Sequence, residues 1–132
     1  MYNKELLEHI KKDVIGDAKS DDEYNRYINN IKKYTKNVKP SRYNTNKGIS
    51  TSQIRTIFGE LKKINKSGNI RELQKLRMKL AYTGGRGNRD LKDFTETLED
   101  IIVETKNKDG INRLYEFVEG VVCYLKFYGD KN

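Results

Sequence analysis

Ile111–Tyr128 reads INRLYEFVEGVVCYLKFY, and the spacing of its apolar residues decides the fold. Its β-branched and aromatic side chains favour strands when taken one at a time. Their order does not. Ile111, Leu114, Val118, Val121, Val122 and Leu125 recur at three and four residues rather than two, which is the period of a helix. Phe117, Tyr124, Phe127 and Tyr128 widen the apolar arc to well over half the circumference. A helix of that kind is expected in the middle of a bundle.

The same period runs through the rest of the chain. Leu6, Leu7, Ile10 and Val14 give a helix over residues 4–15, stopped by Gly16. Asp21 or Asp22 is expected to cap a second helix, with Tyr24, Tyr27, Ile28, Ile31 and Tyr34 on its apolar side. Pro40 ends it, because the residue before a proline is pushed out of the helical region. Residues 39–48 read as a polar loop. A third helix starts at Ser50, Thr51 or Ser52 and runs to about Lys66, where Ser67-Gly68-Asn69 closes it. A fourth spans Ile70 to about Tyr82 with Leu73, Leu76 and Leu80 inward, and Gly84, Gly85 and Gly87 are expected to form a flexible turn holding Arg86. The fifth begins near Arg89 or Asp90, repeats Leu91, Phe94, Leu98, Ile101 and Ile102, and is broken by Asn107 to Gly110. The expectation is an all-α protein: a compact bundle of five to six helices with no sheet. Residues 1–48 form an N-terminal helical segment and linker, residues 49–132 the helical-bundle core, and the whole is one domain.

Length and composition agree with one small core. The chain has 132 residues, 35% of them apolar and 35% charged. Its net charge of +8 is unevenly spread. Residues 1–48 carry eleven basic and seven acidic side chains, residues 49–92 eleven and three, and residues 93–132 five and nine. A basic middle and an acidic end suggest one face for a polyanion and one for a basic neighbour. Lys, Asn, Ile and Tyr abundance resembles an AT-rich coding bias, so the count of nine tyrosines argues little for base stacking. Cys123 is the only cysteine, so no intrachain disulfide forms. No apolar run follows the basic start, and Phe117–Tyr128 is short and interrupted by Glu119 and Lys126. A cytoplasmic protein that does not engage membranes is expected.

The residues carry no catalytic constellation. His9 is the single histidine and has no cysteine partners for a zinc site. Cys123, beside an apolar helix face, reads as a packed small side chain. Gly84-Gly85-Arg86-Gly87 follows a helix rather than a strand and lacks the GK[ST] ending of a phosphate loop. Glu96, Asp100 and Glu104 lie at i, i+4 and i+8, but no second acidic helix faces them to complete a cation site. No enzyme activity, small-molecule substrate, cofactor or metal is expected.

The basic residues are ordered. On the third helix Arg55, Gly59, Lys62 and Lys66 form a stripe beside the apolar one of Ile54, Ile57, Phe58, Leu61 and Ile64. On the fourth, Arg71, Lys75, Lys79 and Tyr82 lie opposite or beside the leucines, with Met78 among them and Arg77 nearer the core edge. Arg86 and Arg89 follow. Cations interleaved with an aromatic suit a surface that tracks a nucleic-acid backbone.

Three segments resemble a known family. They are Ile49–Arg55 (ISTSQIR), Leu76–Arg86 (LRMKLAYTGGR) and Leu114–Gly129 (LYEFVEGVVCYLKFYG). Their T-S-x-hydrophobic-R start, aromatic-x-x-G-R end and final Y-x-K-F/Y-Y are similar, in this order, to the small subunit of the type III-A (Csm) CRISPR effector complex. The resemblance covers residues 49–129. It implies a compact helical bundle without catalytic activity. Several copies would stack head to tail into the inner filament, beside the guide-RNA-bearing backbone and along the channel where target RNA pairs with the guide. Nuclease and cyclase activities would belong to other subunits. It also implies that Arg55, Lys79 and Arg86 contact RNA. Thr83-Gly84 stands where that family more often has a larger residue and alanine, so a looser helix end is expected here.

The expected partners are therefore guide RNA, target RNA, the other subunits of that complex, and further copies of this chain. Base pairing would read the sequence, leaving the protein to recognise backbone and shape. Candidate RNA contacts are Arg55, Lys62, Lys66, Arg71, Lys75, Lys79, Tyr82, Arg86 and Arg89. Glu96, Asp100 and Glu104 are the candidate interface to the basic patch of the next copy, a heterologous contact that propagates an open stack. Two other readings are weighed. One is a sequence-specific DNA-binding regulator using helices three and four as a helix-turn-helix around Ser67-Gly68-Asn69. The other is a metal-dependent ribonuclease.

Overall fold

The computed structural model describes residues 2–16, 19–41 and 46–129, which form six α-helices and no strand. These are α1 (Asn3–Ile15), α2 (Asp21–Val38), α3 (Thr51–Ser67), α4 (Ile70–Gly85), α5 (Arg89–Glu104) and α6 (Lys108–Phe127). Helix α6 packs against each of the other five, the central position its wide apolar arc implied. Ile111, Leu114, Phe117, Val118, Val121 and Leu125 on it are wholly buried.

One apolar cluster draws on all six helices. Its aromatic centre links three of them: Tyr34 of α2 stacks on Phe94 of α5 at 6.2 Å, and Phe94 meets the edge of Phe117 on α6 at 5.7 Å. Leu6, Leu7, Ile10 and Val14 bring α1 into the same core.

The helix ends follow the expected chemistry, with three changes. Ser20, not Asp21 or Asp22, caps α2. Its hydroxyl accepts the Glu23 N–H at 3.2 Å, and the Glu23 carboxylate accepts the Ser20 N–H at 2.9 Å. That backbone N–H holds the Glu23 carboxyl below its ordinary range. The two aspartates occupy the first turn instead, where their charge suits the helix dipole. Asn107 caps α6 rather than breaking α5, its side chain accepting the Gly110 N–H at 2.9 Å. Gly110 therefore lies inside a helix.

The third change concerns Gly84 and Gly85, which belong to α4 and not to a loose turn. Gly84 is buried where α4 crosses α5, and a Cβ there would fall on the Thr95 hydroxyl. Close helix approach, rather than flexibility, explains the glycine. Gly84→Ala is expected to destabilise the fold by about 1 kcal/mol, because overpacking at ~1–3 kcal/mol outweighs ~1 kcal/mol of helix propensity. Adding Thr95→Ala should restore most of that loss in urea unfolding. An unchanged midpoint in the single variant would show that the contact yields freely.

Candidate nucleic-acid interface

Helices α3 and α4 are set up by local signals. Ser50 and Gln53 form a capping box, with Gln53 N–H to Ser50 Oγ at 3.3 Å and Ser50 N–H to Gln53 Oε1 at 3.4 Å. At the other end of α3, Gly68 adopts φ 68°, the left-handed conformation that closes a helix. Asn69 then caps α4 by accepting the Glu72 N–H at 3.2 Å. The two-residue connection returns the chain beside itself. Thr56 and Ile57 of α3 share a groove with Tyr82 and Thr83 of α4, and Lys63 and Ile64 share the next stretch with Glu72 and Lys75. The facing residues run in opposite order along the two helices, so α3 and α4 form an antiparallel αα-hairpin.

Leu73, Leu76, Leu80 and Gly84 turn the inner side of α4 into the core. The same period leaves Arg71, Lys75, Met78, Lys79 and Tyr82 exposed on its outer side, and Arg86 exposed just beyond its end. Arg77 lies at the core edge, as its position on the wheel implied. Its Nε donates to Glu99 Oε2 at 3.1 Å and its Nη1 to Gln74 Oε1 at 3.2 Å. That guanidinium is held toward α5.

Two of the outer cations have carboxylates nearby. Lys79 meets Glu60 of α3 at 3.4 Å, and Lys75 meets Glu72 at 3.7 Å. Such exposed pairs contribute about 0–1 kcal/mol and exchange partners readily. Arg86 has an aromatic partner instead. Its Nη1 donates to the Tyr82 hydroxyl at 2.9 Å, and its guanidinium lies 5.2 Å from the centre of that ring. Arg71, Arg55, Lys62, Lys66 and Arg89 form no ion pair among the described residues.

The structure groups these residues unequally. Arg71, Lys75, Lys79, Tyr82 and Arg86 share the outer face of α4, and Arg89 opens α5 three residues later. Arg55, Lys62 and Lys66 are exposed on the shoulder of α3 nearer α6, the side where Phe58 stacks on Tyr115 at 5.1 Å and Asn65 meets Asn112 at 3.4 Å. Between the two groups lies Lys63, which sequence reasoning passed over. It lines the α3–α4 groove with Lys75 and Lys79. Its spacing from Glu60 puts the two on one side of α3, but which side meets α4 is set by the packing.

The acidic candidates Glu96, Asp100 and Glu104 are all exposed on α5. Asp100 faces the ammonium of Lys11 on α1 at 3.4 Å, and Lys11 also pairs with Glu8 at 3.0 Å. The hydrogen bond that Lys11 donates to Glu8, with the charges of Glu8 and Asp100, holds Lys11 above its ordinary value despite partial burial. Glu96 and Asp100 line a recess against α1, and Glu96 also reaches the α4–α5 seam beside Ala81 and Gly85.

Elsewhere, a concavity of about 850 Å³ opens between α1, α2 and α6. In it Tyr24 donates to Glu116 at 2.9 Å, and Arg113 to the Val14 carbonyl at 2.8 Å. Among the described residues no group of His, Cys, Asp and Glu is arranged to hold a metal, and no helix is long and apolar enough to cross a membrane. His9 is exposed. Cys123 is also exposed, contrary to the packed position expected. The apolar arc of α6 narrows toward its end, where Phe127 too is 71% exposed.

Comparison with known proteins supplies the context for this face. The profile of the family Csm2 Type III-A matches residues 25–131, from within α2 through α6, and so reaches further toward the N-terminus than the three motifs. A Streptococcus thermophilus relative, "CRISPR system Cms protein Csm2", is 30% identical over 99 residues, covering 66% of this chain and 81% of that protein. No solved structure gives a significant match. With a matched region spanning five of the six helices, the chain belongs to the Csm2 family and is a small subunit of the type III-A CRISPR complex.

Proposed function

We propose that this subunit is a non-catalytic RNA-binding component that grips a ribose–phosphate backbone through α4 without reading its bases, in copies that stack along the guide RNA–target RNA duplex. The observation that carries this reading is the outer face of α4, where four cations and Tyr82 stand exposed opposite a buried row of leucines. Arg55, Lys62 and Lys66 on the neighbouring shoulder, with Arg89, extend the positive surface. Phosphate contacts of this kind add affinity without sequence information. The sequence is left to base pairing between guide and target.

Competition binding tests the reading. Unrelated RNA sequences should displace one another equally, and binding should weaken steeply with salt. Preference for a single duplex DNA sequence would instead favour a regulator. Incubation with labelled RNA and Mg²⁺ or Mn²⁺ should leave the RNA intact.

Stacking has its own support in charge. The exposed row of Glu96, Asp100 and Glu104 is opposite in sign to the α3–α4 surface, which suits a head-to-tail contact between copies. Reversing all three to lysine should lower the number of copies retained in the purified complex. Unchanged stoichiometry would count against this contact.

A further inference from the structure

We propose that the groove between α3 and α4 receives an unstacked RNA base, so that the subunit holds an unpaired nucleotide as well as backbone. This rests on the RNA-binding reading above and specifies its ligand. Gripping phosphates requires only cations. The α4 face has more than that. Met78 and Tyr82 are 71% and 67% exposed in the midst of Lys75, Lys79 and Arg86. Beside them runs a groove of about 430 Å³ whose walls include Ile57, Leu76 and Leu80.

The Tyr82 ring at the lip of this groove has a cationic partner. Arg86 hydrogen-bonds its hydroxyl at 2.9 Å and lies 5.2 Å from its centre. An exposed aromatic ring, an apolar slot and flanking cations make a stacking platform with phosphate contacts on either side. Charge favours this occupant. On its wall Lys79 pairs with Glu60 at 3.4 Å, and Lys75 and Arg86 beside it leave an excess of positive charge, complementary to a polyanion. Stacking tolerates any base, so the inference agrees with sequence-independent binding.

The test uses the full chain and three labelled RNA duplexes that differ at one position: fully paired, with a single-nucleotide bulge, and with an abasic bulge. The bulged RNA should bind about five- to 150-fold more tightly than the abasic one, the range expected for stacking one base. Tyr82→Ala should erase that preference, whereas Tyr82→Phe, which keeps the ring, should retain most of it. A 2-aminopurine in the bulge should change its emission on binding to the wild type and not to Tyr82→Ala. Equal, salt-sensitive binding of all three RNAs by the wild type would overturn this proposal and leave backbone recognition standing. Failure to bind any of them would overturn the functional reading itself. If the preference survives Tyr82→Ala while that variant no longer enters the complex, the groove is a protein seat and the proposal is wrong.

Discussion

Replacing Arg71, Lys75, Lys79 and Arg86 together with alanine is expected to reduce RNA affinity by about two to three orders of magnitude near 0.1 M salt. The estimate follows from counterion release. Each lost phosphate contact removes roughly 0.7 from the slope of log affinity against log salt for a single strand, so four contacts remove about three. The loss should be the same for unrelated RNA sequences, because none of these side chains is required to read a base. The fold should survive, since all four side chains are exposed and their carboxylate partners Glu60 and Glu72 are solvated as well. Circular dichroism and unfolding midpoints check that point. Salt titrations on at least three RNAs check the rest. A loss confined to one sequence, or a slope that does not change, would contradict the assignment of the α4 face.

Phe117→Ala is expected to produce the largest change in stability. Phe117 is wholly buried on the helix that touches all the others, with its edge contact to Phe94 at 5.7 Å. Removing it deletes apolar surface and leaves a cavity that α2, α5 and α6 can only partly close. The expected cost is about 3–5 kcal/mol, equivalent to a fall of roughly 10–20 °C in melting temperature for a chain of this size. Differential scanning calorimetry gives the number directly. A fall of only a few degrees would mean that the centre of the bundle can repack around α6, against the account of a tightly shared core.

The bundle was legible because most of its cause is local. Leu73, Leu76 and Leu80 mark the inner side of α4 by spacing alone, and the serines before Gln53 announce the start of α3. What escaped the sequence depends on neighbours far along the chain. Gly84 looks like a turn residue until Thr95 is placed against it. Asp100 looks unpartnered until Lys11, 89 residues away, is seen to face it. Tyr34 gains its role from stacking on Phe94.

The candidate site divides in the same way. The outer cations of α4 could be listed from the helical period. Which shoulder of α3 lies beside them depends on how α3 sits between α4 and α6. For that reason Lys63 was overlooked and Lys62 chosen. The carboxylate of Glu60, beside Lys79, is likewise a product of the hairpin pairing and not of any motif.

The central claim is that the exposed side of α4 lies on RNA backbone inside the assembled complex. The most direct measurement is the structure of that complex with guide and target RNA bound. The account predicts Arg71, Lys79 and Arg86 within hydrogen-bonding distance of phosphate oxygens in every stacked copy. An α4 face packed against another protein chain, or open to solvent with the RNA elsewhere, would contradict it.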